Sequence, residues 1–193
     1  KGESPGPSPL TKEGSQGGRP TVVLLNDTFM NYNYPEVGRA AVELLEAAGQ
    51  NVVLANAMCC GRPMISKGLL DEAASNARYN VDLLHAYADQ GIPIIGCEPS
   101  CLLTLRDEFL VMGLGGDAEA LSDHAVLLEE FLAAEMEAGR LNFDLAPLPN
   151  GKALLHGHCH QKSLGLVPPA QAHLMADALQ SRGVPFALIE FPD

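Results

Sequence analysis

Residues 21–55 read TVVLLNDTFMNYNYPEVGRAAVELLEAAGQNVVLA, and this stretch predicts the fold of the chain. Two short aliphatic runs, 21–25 and 51–55, have the composition of buried strands. Between them, apolar residues recur three or four positions apart, which is the spacing of one helix face. These residues are Val37, Ala40, Ala41, Leu44, Leu45 and Ala48. Gly49 follows at the position where helices commonly end. A strand–helix–strand unit of this kind indicates a parallel sheet with a right-handed helical crossover.

The same alternation continues along the rest of the chain. A helix with apolar positions from Leu70 to Ala88 follows the second strand, and Ser122 is predicted to cap another helix that runs to Gly139. A later helix carries Ala172, Met175, Ala176 and Leu179. Further strands are predicted at 92–95, 153–155 and 186–189. All the strands are uniformly aliphatic, as expected for parallel strands covered on both faces. The predicted fold class is therefore α/β, with parallel sheets flanked by helices.

A weak internal repeat divides the chain into two similar Rossmann-like halves. Strand 153–155, its helix and strand 186–189 repeat the order of elements in 21–55. Aligning the repeats carries the Cys59–Cys60 pair onto Asp193 and the position after it, so we expect a second half truncated at its C-terminal end. The predicted divisions are a flexible Gly-, Ser- and Pro-rich linker at 1–20, a first half at 21–138, a connecting loop at 139–151 and the start of the second half at 152–193.

The composition argues against two classes of interaction. A formal net charge of −12 disfavours binding to a nucleic-acid backbone, which requires clustered lysine and arginine. No apolar run approaches the roughly 20 residues that span a bilayer, and residues 1–20 lack the apolar stretch of a signal peptide. We expect a chain that is not membrane-spanning, with any membrane association made through partners. We also expect a cytoplasmic location, where the five cysteines would stay reduced.

The cysteines follow the predicted strands. Cys59 and Cys60 come after strand 51–55, Cys97 and Cys101 after strand 92–95, and Cys159 after strand 153–155. We place all of them in loops that leave the carboxyl ends of strands. In parallel sheets these ends share one edge, where ligand sites collect. A single cysteine is often only a small buried apolar residue, but five on one edge favour a cofactor site.

Adjacent cysteines restrict the chemistry of such a site. The segment CEPSC (97–101) could form one zinc knuckle. Cys59 and Cys60 are poor joint ligands of one tetrahedral ion, because no loop between them lets both sulfurs turn inward. An iron–sulfur cluster offers several irons, which neighbouring soft thiolates can reach separately. A strained vicinal disulfide and thiol–disulfide chemistry are the alternatives.

The segment HGHCHQK (156–162) is the densest group of potential ligands. Cys159 is interpreted as a metal ligand, with His158 and His160 as further ligands or as hydrogen-bond donors to sulfur. Alternatively, the histidines satisfy backbone carbonyls in an ordinary loop. Arg62 and Lys67 near the cysteine pair, and Lys162 near Cys159, could offset the negative charge of a thiolate-bound cluster.

Four stretches together resemble the cysteine-rich CCG domain family. They are NDTFMNYNYPEVGRAAVELLEAAG (26–49), CCGRPMISKGLLDEA (59–73), GCEPSCLLTLRDEF (96–109) and HGHCHQKSLG (156–165). They are most similar to the iron–sulfur region of FAD-linked 2-hydroxyacid dehydrogenases of the D-lactate and D-2-hydroxyglutarate types. More distant similarity is to the iron–sulfur subunits of glycolate oxidase and anaerobic glycerol-3-phosphate dehydrogenase, and to the CCG-containing component of heterodisulfide reductase.

The resemblance implies an electron-transfer domain that binds an iron–sulfur cluster, of the 4Fe-4S type, through Cys59, Cys60, Cys101 and Cys159. Cys97 is a less secure ligand. FAD would lie on a separate flavin-binding domain or subunit, which takes electrons from lactate, glycolate or 2-hydroxyglutarate. The acceptor would be a quinone or a protein. On this interpretation the chain has no catalytic residues of its own and is not a complete enzyme. The alternatives are a metal-free or zinc-binding docking domain and a thiol–disulfide redox module.

Overall fold

A computed structural model of the chain describes residues 18–141, 153–155, 158–164 and 186–188. The chain divides into two compact units, Lys1–Phe131 and Leu132–Asp193. The domain boundaries inferred from the sequence repeat remain predictions, as do the linker at 1–20 and the similarity of the two halves. Within the described residues, no helix combines the length and the apolar character needed to cross a membrane.

The first unit is built on a four-stranded parallel sheet. Its strands are β1 (Thr21–Leu24), β2 (Asn51–Leu54), β3 (Ile94–Gly96) and β4 (Ala125–Leu127). The order in the sheet is β2-β1-β3-β4. β1 pairs with β2 on one side and with β3 on the other, and β3 pairs with β4. This arrangement confirms the predicted α/β class with a parallel sheet.

Helices connect these strands and flank the sheet. They are α1 (Thr28–Tyr32), α2 (Pro35–Ala47), α3 (Arg62–Ser66), α4 (Leu70–Ala88), α5 (Pro99–Arg106), α6 (Glu108–Val111), α7 (Gly116–His124) and α8 (Leu128–Glu137). Of these, α2 and α4 match the two helices that the apolar spacing predicted most clearly. α2 buries Ala41 and Leu45, and α4 buries one continuous face from Ala73 to Ala88.

The core is aliphatic, as the absence of tryptophan requires. Val23, Ile94 and Leu127 contribute strand side chains that are fully or almost fully buried, and α4 and α5 pack more side chains into the same cluster. Phe109 is a fully buried aromatic residue in this core. Cys60 and Cys101 also belong to the cluster, so the sulfur-bearing edge of the sheet is continuous with the core.

The prediction that Ser122 begins a helix is wrong. Ser122 lies inside α7, and its hydroxyl donates to the carbonyl of Arg106 at 3.4 Å. The chain then forms β4, which pairs with β3, before α8 begins at Leu128. Pairing with an already buried strand overrides local helix spacing, because strand formation depends strongly on its packing context.

The second unit contains a parallel strand pair, β5 (Ala153–Leu155) and β6 (Phe186–Leu188), and a short helix, α9 (Cys159–Ser163). The two strands confirm the sequence predictions at these positions. The helix predicted around Ala172–Leu179 and the loop predicted at 139–151 lie largely or wholly outside the described residues.

Candidate functional site

The carboxyl ends of the parallel strands form one edge of the sheet in the first unit. Asp27 follows β1, the Cys59–Cys60 pair follows β2, and Cys97 follows β3. Cys101 comes slightly later, in the first turn of α5. The prediction that every cysteine lies in a loop is therefore wrong for Cys101, which lies on a helix immediately after the loop, and also for Cys159, the first residue of α9 in the second unit.

Cys60 and Cys101 meet at this edge. Their thiols are hydrogen-bonded to each other. Both side chains are nearly inaccessible to solvent, with relative exposures of 5% and 8%. One thiol comes from the loop after β2 and the other from the helix after β3, on opposite sides of β1 in the sheet. The fold therefore brings together two sulfurs that are far apart in sequence.

Local sequence explains why Cys101 is held here. Pro99 occupies the first position of α5, where a missing N–H is tolerated. The carboxylate of Glu98 caps the helix by accepting from Ser100 N at 3.1 Å. Gly96 permits close packing of this helix, because a Cβ at that position would lie 2.9 Å from Leu102 Cδ1. Glycine in the GCEPSC segment thus allows α5 to approach the strand that precedes it.

A second glycine shapes the Cys59–Cys60 loop. Gly61 has a φ of +88°, in the left-handed region that favours glycine, and it begins α3. This turn directs the backbone N–H of Arg62 toward the Cys60 sulfur, with which it forms a hydrogen bond. A glycine directly after the two cysteines is therefore a conformational requirement of the loop.

Two asparagines of α4 hold the same loop. The Asn80 amide is buried and bonds the backbone of Met58 twice, accepting from its N–H at 2.8 Å and donating to its carbonyl at 3.1 Å. One turn earlier, Asn76 Nδ2 donates to the carbonyl of Cys59 at 3.1 Å. The sequence analysis missed these residues. The available signal was Asn80 itself, a polar residue within the otherwise apolar face of a predicted helix.

The surroundings of the two buried thiols shift their pKa values in opposite directions. The pKa of Cys60 falls to about 7, chiefly because the Cys101 thiol donates to its sulfur. Burial opposes this fall, whereas the Arg62 N–H, the Thr104 hydroxyl and the Cys59 thiol add to it. The pKa of Cys101 is raised, because its proton is held between the two sulfurs and its side chain is buried. Cys60 is therefore the first thiolate of the pair.

Cys97 has a different environment. Its pKa is raised to about 11, first by burial and then by the negative charges of Asp27 and Glu129. Asp27 is itself buried and caps α1, accepting from Phe29 N at 2.7 Å and Met30 N at 3.1 Å. The thiolate form of Cys97 is thus disfavoured beside carboxylates, and its role as a ligand remains a prediction.

The basic residues near the cysteine pair act in different ways. The Arg62 guanidinium forms an ion pair with Glu108, whereas the backbone N–H of Arg62 is the group that reaches Cys60. Lys67 lies at the exposed C-terminal end of α3. Charge compensation by these side chains therefore remains a prediction, and the donors that lower the pKa of Cys60 are uncharged groups.

In the second unit, Cys159 is exposed and begins α9. His158 caps this helix: its Nδ1 accepts from His160 N at 3.1 Å, and Gln161 completes the capping box. The ring nitrogen used in the cap is thereby occupied. Lys162 is an exposed residue of the same helix. That Cys159, His158 and His160 contribute to the site of the first unit remains a prediction.

The structure thus brings together a subset of the predicted ligands. Cys60 and Cys101 are in contact, and the Cys59 thiol forms a hydrogen bond with the Cys60 sulfur. Among the described residues of the first unit, no third Cys, His or carboxylate ligand atom lies within 4.8 Å of both Cys60 and Cys101. The nucleus of the candidate site is therefore a buried two-thiol contact with Cys59 beside it.

Comparison with known proteins gives a family for this region. The model of the family described as "CCG: Cysteine-rich domain" matches residues 28–106. The matched segment includes the cysteine pair after β2 and both cysteines that follow β3. No solved structure matches the sequence with significance.

Several curated proteins are similar to the chain. One component of the anaerobic glycerol-3-phosphate dehydrogenase of Escherichia coli K12 is 34% identical over 146 residues, which cover 75% of this chain and 36% of that protein. D-2-hydroxyglutarate dehydrogenase of Pseudomonas putida is 31% identical over 144 residues, or 74% of this chain and 13% of the relative. Lactate utilization protein A of an Exiguobacterium strain is 29% identical over 174 residues, which cover 86% of this chain and 66% of that protein. The chain thus spans about a third of the first of these relatives and a smaller part of the second.

Proposed function

We propose that the chain is an iron–sulfur-binding electron-transfer domain of an FAD-linked 2-hydroxyacid dehydrogenase, because residues 28–106 match the model of the cysteine-rich CCG domain family. The substrate of the whole enzyme would be lactate, glycolate or 2-hydroxyglutarate. Support comes from the similarity to a component of a glycerol-3-phosphate dehydrogenase, to a D-2-hydroxyglutarate dehydrogenase and to a lactate utilization protein. A cytoplasmic location is part of the proposal, since free thiols are kept reduced there.

The observation that carries the proposal is the contact between Cys60 and Cys101 on the edge of the sheet. Soft sulfur donors on separate elements, one of them ionised near neutral pH, are the donor set that an iron–sulfur cluster requires. The residues present therefore fit such a group. Cys59, Cys60, Cys101 and Cys159 are the proposed ligands of a 4Fe-4S cluster, and Cys97, His158 and His160 are secondary candidates.

The residues of the chain would set the properties of the cluster. When bound, the cluster would accept and release single electrons. The Arg62 N–H donates to the Cys60 sulfur, and such a bond stabilises negative charge and raises a reduction potential. Burial of Cys60 and Cys101 in the core excludes water from the same side. Asp27 and Glu129 act in the opposite sense near Cys97.

The remaining chemistry belongs to partners. We propose that FAD is held by a flavin-binding domain or subunit, where the hydroxyacid loses its electrons, and that a quinone or protein accepts them after the cluster. Similarity to one component of a named dehydrogenase and to short parts of longer proteins supports a multi-part assembly. This chain would then carry electrons without binding the hydroxyacid.

A thiol–disulfide redox module is the second candidate. One observation favours it: a thiol with a pKa of about 7 lies in contact with a second thiol. Low-pKa cysteines beside a partner thiol are typical of exchange-active sites. Against this candidate, both sulfurs are nearly inaccessible, and exchange requires access for the attacking partner.

Anaerobic purification with iron and sulfide analysis separates these functions. We expect iron and acid-labile sulfide in matching amounts, with an electron paramagnetic resonance signal on reduction. Cys101→Ser should abolish incorporation, whereas Cys97→Ser, the matched control in the loop just before α5, should retain most of the iron. Stoichiometric zinc without sulfide would favour the docking domain, and a reversible two-electron thiol titration without metal would favour the redox module.

A further inference from the structure

The loop that carries the cysteine pair has no regular secondary structure between Ala55 and Gly61. Its backbone therefore depends on bonds from outside the loop to keep one conformation. The bonds that Asn80 makes to both polar groups of the Met58 backbone, at 2.8 and 3.1 Å, are of this kind. They fix the main chain on both sides of the Met58 Cα, two residues before Cys60.

Asn76 extends the same contact by one residue. Its Nδ2 lies 3.1 Å from the Cys59 carbonyl, so side chains one helical turn apart tie successive residues of the loop to α4. The helix provides a firm support. Its neighbouring side chains Ala73, Ala77 and Leu84 are completely buried in the core.

A buried amide is not the residue that simple packing would favour at this position. Asn80 is 1% exposed on a face where α4 otherwise buries apolar side chains, and an apolar residue there would avoid desolvating two polar atoms. The Met58 side chain is 49% exposed, which places this part of the loop near solvent. The bonds to Asn80 therefore hold the loop backbone at Met58 in one conformation more than they add to the net stability of the fold.

We propose that Asn80, assisted by Asn76, is a positioning residue that fixes the main chain of the cysteine pair so that the Cys60 sulfur meets Cys101. The inference rests on the proposed function, because precise placement of these sulfurs matters for holding a cluster. Its physical content is independent of iron: loss of the Asn80 bonds separates the two thiols even in the metal-free chain.

The test uses a trivalent arsenical that bridges two nearby thiols. Cys59, Cys97 and Cys159 are replaced by serine in the full chain, leaving Cys60 and Cys101. Phenylarsine oxide then condenses with the two thiols, forming two arsenic–sulfur bonds and releasing one water, with no change in oxidation state. We expect one equivalent to bind, and adding Cys60→Ser should remove this binding.

Three further changes in this background isolate the role of the amide. Asn80→Leu preserves side-chain size and removes both bonds, and we expect affinity for the arsenical, measured by competition with a small dithiol, to fall at least tenfold. Asn80→Asp should give a smaller loss, because a carboxylate can still accept from Met58 N–H. Leu84→Ala is the matched control, since it disrupts the same buried face one turn away, and it should change affinity less than twofold.

The outcomes are decisive in either direction. If circular dichroism shows that both chains are folded and Asn80→Leu and Leu84→Ala lose the same affinity for the arsenical, Asn80 has only a general structural role and the inference is overturned. Unchanged affinity in Asn80→Leu, or no binding in the two-cysteine background, would also overturn it. If Asn80→Leu fails to fold, Asn80→Asp and Asn76→Ala give the same comparison, and unchanged affinity in both would overturn the inference. If the unaltered chain binds no iron but Asn80→Leu still lowers the affinity for the arsenical, the proposed function is rejected and the positioning role of Asn80 is retained.

Discussion

Replacing Gly61 by alanine isolates the conformational requirement of the glycine that follows the cysteine pair. Gly61 has a φ of +88°, and a Cβ there would meet Ala73 atoms at 3.4–3.5 Å, which is ordinary contact. The expected cost therefore comes from the backbone alone. A left-handed conformation costs an alanine about 1–2 kcal/mol. For a chain of this length, about 1 kcal/mol corresponds to roughly 2–4 °C, so we expect Tm to fall by about 2–8 °C.

Two other glycines provide controls for Gly61→Ala. Gly49 has a φ of +82° with open space around it, so Gly49→Ala should have the same backbone cost while leaving the cysteines undisturbed. Gly116, at the start of α7, has open space and lacks a positive φ, so Gly116→Ala should leave stability unchanged or raise it slightly.

The assay of Gly61→Ala combines circular-dichroism melts with a pH titration of thiolate absorbance in the ultraviolet, which needs no access to the buried Cys60 sulfur, in a chain with Cys59, Cys97 and Cys159 replaced by serine. Gly61→Ala moves the Arg62 N–H away from the sulfur, so the Cys60 midpoint should rise above about 7. Gly49→Ala should leave it in place. A Gly61→Ala chain as stable as Gly116→Ala, or a Cys60 titration midpoint unmoved by the change, would refute the reasoning.

Three further changes test the electrostatics and packing of the same edge. Cys101→Ala removes the chief donor to Cys60, so the Cys60 titration midpoint should move from about 7 toward the ordinary 9.0. Because the pKa of Cys60 is lower in the folded than in the unfolded state, the free energy of unfolding should rise between pH 7 and 9. This rise should be smaller in Cys101→Ala. An equal rise in the two chains would contradict the role of Cys101 as the chief donor to Cys60. Gly96→Ala should destabilise the chain by about 1–3 kcal/mol in denaturant titrations, because its Cβ overlaps a side chain of α5; wild-type stability would show that the packing can yield. Asp27→Asn keeps the cap on α1 but removes a negative charge, so the pKa of Cys97 should fall part of the way from about 11 toward 9, measured by alkylation; no change would leave burial and Glu129 as its causes.

The fold was largely predictable from hydrophobic spacing. The α2 and α4 helices have long apolar faces ended by glycine, and β1 and β2 are uninterrupted aliphatic runs. β4 escaped prediction because Ala125–Leu127 is too short to show a period, and its identity as a strand depends on pairing with β3. The apolar spacing from Ser122 to Gly139 is helical and includes these three residues, so they were predicted as part of one helix.

The candidate site was predictable in its residues and less so in its environment. The position of cysteines after strands predicted that thiols from separate loops meet on one edge, and Cys60 and Cys101 do meet there. The direction of their pKa shifts depends on which atoms donate to which sulfur, and sequence spacing carries no such information. The bonds from Asn76 and Asn80 were also hidden, since they join residues at least 17 positions apart.

The strand order explains how negative charge is distributed among these cysteines. β1 lies between β2 and β3, so the loops after those two strands converge over its end, where Asp27 stands. The Asp27 carboxylate opposes ionisation of Cys97 and Cys101, whereas Cys60 accepts hydrogen bonds from the Cys101 thiol and the Arg62 backbone N–H. Thiolate character is therefore concentrated on Cys60. Since metals bind the thiolate form, we expect Cys60 to be the first of these residues to bind iron, with Cys101 following as its proton is displaced. Iron uptake that depends more on Cys97 than on Cys60 would be incompatible with this order.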